Sequence, residues 1–285
     1  MFADAGARGL PLPQVLLAVS LPNALVEDLR RVIGRDITMI DVVSAPSLVY
    51  SLIRQSGACL LVPVPGDGEL ALLEQLCTRS ANLPCVALYR IGFSSAASTL
   101  RLGAAGVTEL ITVAGNAEYP TLCAAISRCH TASIAQQVWR RCAAAISGPV
   151  APLLQSALRL GHAPITAIQL ATELGMQERT LRRHCKRVGV PSPQWIIGWA
   201  RLLIAGFYLM DGATTIKSVA LMLAYPSPGA LGNQLRRYTK VTPSSMRSSA
   251  VLSTLVGHLQ FALGTRCRIP LRYEGLASND SACHH

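Results

Sequence analysis

The chain has 285 residues, 51% hydrophobic and 14% charged, which is enough apolar material for two cores and excludes a chain disordered throughout. Its formal net charge is +11, and residues 1–145 carry 11 basic and 10 acidic groups, 146–250 carry 12 and 3, and 251–285 carry 3 and 2. A polyanionic partner is therefore expected for the middle segment. Nine cysteines without paired spacing point to reduced thiols. Met1–Pro13 lacks a basic region followed by an apolar block, and the longest apolar run, Ile196–Met210, is short and broken by Arg201. A cytoplasmic protein with no membrane span is expected.

After a tail at 1–13, residues 14–131 alternate strand-like and helix-like signals. QVLLAVS, ITMIDVVS, ACLLVPVP, CVALYRI and VTELITV read as five strands. Helical patterns lie around ALVEDLRRVIG, SLVYSLIRQSG, ELALLEQLCTRS, SAASTLRLGAAG and EYPTLCAAISRCH. The alternation predicts an α/β domain with a doubly wound parallel sheet of flavodoxin-like order.

With the segment RLGAAGVTELI and its size, this domain resembles a CheY-like receiver. The resemblance implies an acidic cluster after the first strand to hold Mg²⁺, an aspartate ending the third, a hydroxyl ending the fourth and a lysine ending the fifth. The sequence offers Val19-Ser20-Leu21, Val62-Pro63, Leu88-Tyr89 and Thr112-Val113 there, and Asp67 and Glu69 have no acidic partner at the first strand. A pseudo-receiver is expected, which regulates or self-associates without phosphorylation. PGDG at 65–68 reads as a plain turn. The strand-end loops leave room for a small effector that the sequence does not name.

Residues 132–150 read as a linker helix ending in a Ser-Gly-Pro break, in which Trp139 is either a dimer contact or packing onto the sheet. Residues 151–250 read as an all-α domain, opened by the helix VAPLLQSALRLGHA. In ITAIQLATELGMQERTLRRHCKRVG, Ile165, Ile168, Ala171 and Leu174 share one stripe, Gly175 supplies a positive φ, and Leu181 and Cys185 form the inner face of a second helix. That helix turns Arg179, Arg182, Arg183, Lys186 and Arg187 outward. SPQWIIGWARLLIAGFYLMDG is a helix punctuated by Pro193 and Gly212, with Trp195, Trp199, Leu202, Leu203, Gly206 and Met210 along one side. Its length, about 19 residues or roughly 28 Å, is comparable to one turn of duplex, about 34 Å. TTIKSVALMLAYPSPGALGNQLRRYTKVTP repeats the design. Ile216, Val219, Ala220 and Leu223 pack inward, and Leu231 and Leu235 anchor a helix that carries Asn233, Gln234, Arg236 and Arg237. SSAVLSTLVGHLQFALG predicts one more amphipathic helix within 251–285, and Thr265–His285 a loose tail.

From Ile165 to Arg247 the order of these elements, closed by VTP and an arginine, resembles the DNA-binding domain of AraC/XylS-type transcription regulators. The resemblance implies two helix-turn-helix motifs whose second helices, roughly 177–188 and 229–238, enter major grooves. It places Gln177, Glu178, Arg179, Thr180, Arg182, Arg183, Lys186 and Arg187 at DNA, and likewise Ser227, Gly229, Ala230, Asn233, Gln234, Arg236 and Arg237. Ala224 and Lys240 stand where the family usually has glycine, and Cys185, Leu231 and Leu235 where it often has phenylalanine.

The function expected is that of a sequence-specific transcription regulator. Its partner would be double-stranded DNA, with RNA polymerase and a second copy of the chain, through the N-terminal domain, as further candidates. No cofactor, metal ion, membrane or enzymatic activity is expected. Asn233 and Gln234 suit adenine recognition by type. Glu178 either accepts from cytosine or complements the helix N-terminus, and His184 faces a helix junction or a phosphate. Cys283-His284-His285 lacks a fourth metal ligand, and the Cys129 and His130 side chains diverge on a helix. Two rivals stand beside this reading. One is a protein-interaction adaptor with a degenerate DNA-binding domain; the other is a DNA-repair enzyme, which would need zinc-ligand cysteines or an activated nucleophile.

Overall fold

The computed structural model describes residues 13, 15–18, 21, 23–33, 38–41, 58–63, 84–89, 103–104, 107–112, 119–146, 148–210, 214–240 and 250–264. The strands are β1 Val15–Ala18, β2 Thr38–Asp41, β3 Ala58–Pro63, β4 Cys85–Tyr89 and β5 Glu109–Thr112, and helix α1, Asn23–Ile33, joins the first two. All pairings are parallel, in the order β2-β1-β3-β4-β5. This is the flavodoxin-like order expected from the alternation of elements. Neighbours such as Leu16 and Leu17, or Val86 and Ala87, point to opposite faces, yet all are fully buried. The sheet is covered on both sides, which explains why its strands read as continuous apolar runs. The helices expected at 47–57 and 69–80, and Ser20, Asp67 and Glu69, lie outside the described residues. So do most of 95–106, the tail at 265–285 and most of the tail at 1–13.

Helix α2 spans Tyr119–Ala143, 25 residues without interruption. The boundary expected at 131–132 therefore falls inside a helix, because no glycine or proline occurs between Thr121 and Ser147 to break it. Its first half, Leu122, Ala125, Ile126 and Cys129, packs with Leu16, Leu88 and Ile111 of the sheet. Its second half, Ile134, Ala135, Val138 and Cys142, belongs to the core of the helical domain. Trp139 is half-buried against that helical core, not against the sheet.

A 3-10 turn at Gly148–Val150 leads into α3 Ala151–Leu160, α4 Ala167–Glu173, α5 Glu178–Arg187, α6 Pro193–Leu209, α7 Ile216–Met222, α8 Pro228–Thr239 and α9 Val251–Gly264. Thr166, Ser192, Thr215 and Ser227 each accept a backbone N–H at a helix start, and Thr166 and Gln169 form a reciprocal capping box. Helix α6 has 17 residues, fewer than expected, and every residue from Ile196 to Leu209 is buried. An all-round apolar helix is a core helix. The one-sided stripe expected on it is thus a full cylinder, packed on by α2, α3, α7, α8 and α9.

Among the described residues no helix is long and apolar enough to cross a membrane. Cys59, Cys85, Cys123, Cys129, Cys142 and Cys185 are buried, and burial pushes the Cys142 thiol up to about 12. The described residues contain no cluster fit to hold a metal ion.

Candidate nucleic-acid interface

Helices α4 and α5 are joined by a tight reversal at Gly175, which has φ of +66°. The Met176 N–H donates to the Ala171 carbonyl at 2.9 Å and fixes the turn. Leu170, Ala171, Leu181 and Cys185 are buried between the helices. This seal sets the rotation of α5 about its axis, so Arg179, Thr180, Arg182, Arg183, Lys186 and Arg187 are all exposed. Arg182 Nε donates to Glu178 at 2.9 Å, and Arg187 lies 2.8 Å from His184 Nδ1. Among the described residues, Arg179, Arg183 and Lys186 have no such partner. Gln177 stands at the cap of α5 without a side-chain capping bond.

Helices α7 and α8 repeat this construction. The Tyr225 N–H donates to the Ala220 carbonyl at 2.8 Å, the counterpart of the bond from Met176. Ala224, opposite Gly175 in the repeat, has φ of +50°. The second turn is one residue longer, since the cap Ser227 follows Ala224 by three positions whereas Gln177 follows Gly175 by two. Leu231 and Leu235 are buried, while Gly229, Asn233, Arg236 and Arg237 are exposed. Asn233 Oδ1 accepts from Arg236 at 2.8 Å, and Ser227 accepts from the half-buried Ala230 at 3.1 Å. Gln234 is half-buried, and its amide donates to the Gly198 carbonyl at 2.9 Å. This bond ties α8 to α6.

A cleft of about 380 Å³ lies between α8 and the N-terminal half of α6, walled by Gln194, Gly198, Asn233, Arg237 and Tyr238, with Arg201 also lining it. Arg201 Nη2 donates to the Leu223 carbonyl at 2.6 Å, and its guanidinium carbon sits 4.4 Å from the Tyr225 ring centre. Sequence reading noticed Arg201 only as a break in an apolar run. A single cation inside the helix IIGWARLLIAG was the signal that could have marked it. At the other end of α6, Tyr208 stands between two buried imidazoles, 3.5 Å from His130 Nε2 and edge-on to His162. Burial pushes His130 down to about 4. Burial, then the neighbouring His130 and Arg201 charges, hold His162 at about 3. Cys129, one residue from His130, points instead to Glu109, 3.4 Å away.

A helix-turn-helix domain model matches residues 170–249. Among solved structures, the chain is similar to the response regulator StyR, at 23% identity over 65% of this chain and 96% of that one, with a TM-score of 0.34. It is also similar to full-length FixJ from B. japonicum, at 15% identity over 65% and 94%, with a TM-score of 0.32. No curated protein matches the chain. The AraC/XylS assignment is corrected accordingly, because the family model that matches is that of a helix-turn-helix domain and covers residues 170–249 alone. The physical reason is visible in the packing. Leu170, Ala171, Gly175 and Leu181 are the residues any helix-turn-helix needs to close on itself, so they register the motif and not one family. The chain joins an α/β domain with a parallel sheet of flavodoxin-like order to an all-α domain that bears a helix-turn-helix.

Proposed function

We propose that this chain is a DNA-binding transcription regulator that presents α5 and α8 to successive major-groove segments. The observation that carries the reading is the fixed outward face of α5. Leu181 and Cys185 are sealed inside while Arg179, Arg183 and Lys186 stand exposed and unpaired among the described residues. The concentration of basic residues in 146–250 supports it, since a duplex rewards every phosphate neutralised. In this reading Arg179, Arg183 and Asn233 face base edges, and Lys186, Arg187 and Arg236 face phosphates. Gln234 positions α8.

The N-terminal domain regulates without phosphoryl transfer. The described strand ends support this: Leu21 follows β1, Pro63 ends β3, Tyr89 ends β4 and Thr112 ends β5. None of these is a carboxylate that would hold Mg²⁺.

Fluorescence anisotropy with random duplex DNA tests the reading. Binding is expected, with affinity that falls steeply as salt rises, and the slope of log affinity against log salt should shrink by about one per phosphate-contacting cation removed. Substituting Arg182 and Arg183 by alanine should weaken it. Absence of binding, or a flat salt response, would favour the adaptor over the regulator.

A further inference from the structure

Beneath the cleft between α6 and α8 lies a cation with no counter-charge among the described residues. Arg201 is 7% exposed. Among the described residues its partners, the Leu223 carbonyl and the Tyr225 ring, are both neutral, and its Nη1 has no hydrogen-bond partner. Holding a guanidinium out of water is unfavourable unless an anion compensates it. None of the cleft's lining residues is acidic, and one of its walls is a second cation, Arg237. Gln194 and Asn233 add amide donors at the mouth, and Gln194, Asn233 and Arg237 are exposed. The cleft is therefore an electropositive recess whose rim shares Asn233 and Arg237 with the exposed face of α8.

We propose that this recess is a phosphate-binding site. Arg237 and the Gln194 amide hydrogen-bond the phosphate oxygens, and Arg201 supplies charge from below. A guanidinium fork at the wall matches the paired oxygens of a phosphate. The phosphodiester of the DNA backbone beside the groove read by α8 is one source of this group. Free phosphate is the other. The DNA source rests on the regulator reading above; the phosphate chemistry does not.

The full-length chain tests this with two probes. In the first, one phosphate at a time in a bound duplex is replaced by a neutral methylphosphonate, and affinity is measured for the wild type, Arg237→Ala and Gln194→Ala. One position is expected at which the wild type loses about tenfold and Arg237→Ala loses nothing further, the signature of a charge-assisted contact. In the second, inorganic phosphate is titrated without DNA, and thermal stabilisation is expected in the wild type and not in Arg237→Ala. Coupling to one duplex position assigns the site to DNA, and stabilisation alone assigns it to free phosphate. Both variants change exposed residues, so neither depends on how the core tolerates a change at Arg201. If duplex is not bound at all, the regulator reading fails while the second probe still decides the site. Failure of both probes overturns it.

Discussion

Tyr238 closes over Gly198. A β-carbon at residue 198 would stand 2.6 Å from Tyr238 Cζ, and the tyrosine ring also meets Trp199 edge-on at 5.3 Å and stacks near Trp195 at 6.5 Å. These contacts, with the bond from Gln234 to the Gly198 carbonyl, fasten α8 to α6. Gly198→Ala should destabilise the chain by about 1–3 kcal/mol through overpacking, and Tyr238→Leu in the same chain should recover part of the loss. Urea unfolding of the single and double variants reads the coupling; additive losses would show that residues 198 and 238 do not meet.

Ala224 and Lys240 both adopt left-handed backbone, with φ of +50° and +63°. Ala224→Gly and Lys240→Gly should each raise stability by about 0.5–1 kcal/mol, the relief of steric cost exceeding the added freedom of the unfolded chain. Gly175→Ala should lower it by about 1 kcal/mol, since its φ is +66° with open space around a built β-carbon. Denaturation midpoints check all three, and an Ala224→Gly variant no more stable than the parent would contradict the turn geometry.

His130 and His162 are held neutral, at about 4 and about 3, by burial. The unfolded chain takes up these protons near the ordinary value of about 6.5, so stability is complete above that pH and falls as pH drops from there toward 4 and 3. His130 alone should contribute a loss on the order of 3 kcal/mol by pH 4. Both ring nitrogens of His162 lack partners among the described residues, so His162→Leu should fold and show a shallower loss between pH 6.5 and pH 4. Parallel pH profiles for parent and variant would mean that His162 is not kept neutral by the fold.

Gln234 and Asn233 sit side by side on α8 but play separable parts. Gln234→Ala breaks the tie to α6 and should lower affinity for every duplex alike, together with stability by about 1 kcal/mol. Asn233→Ala should leave stability unchanged and alter base preference at one position of sequences selected from a random pool. A changed preference in the Gln234 variant would reverse these roles.

Helix α5 begins at Gln177 with no capping bond, unlike α4, α6, α7 and α8. Gln177→Ser should stabilise the chain by roughly 0.5–1 kcal/mol, measured by thermal unfolding without DNA. A loss of stability would show that Gln177 is held in another way.

Much of this was legible in the residues. The strands announce themselves as Val, Leu and Ile runs because the sheet is buried on both faces. Their order followed from the alternation with helices, and the strain at Ala224 from its standing where the resembled DNA-binding domains usually have glycine. Other features were hidden for physical reasons. Helix α6 is buried all round and apolar there but for Arg201 and Tyr208, so periodicity has little to distinguish and a single stripe was read where a cylinder exists. The hand-over near Thr131 looked like a boundary because the partners of α2 change there, while its backbone does not. The fate of Gln234 depends on a rotamer and a neighbouring carbonyl, which residue type cannot disclose. The family assignment failed because the motif's packing residues are common to many proteins.

Because α2 passes unbroken from beneath the sheet into the helical core, nothing between Tyr119 and Ala143 offers a swivel. Whatever displaces Leu122 and Ile126 on the sheet must also drag Val138 and Cys142, and with them the packing around α6. Traffic between the two halves of the chain would travel as leverage on one beam, not as the loosening of a tether.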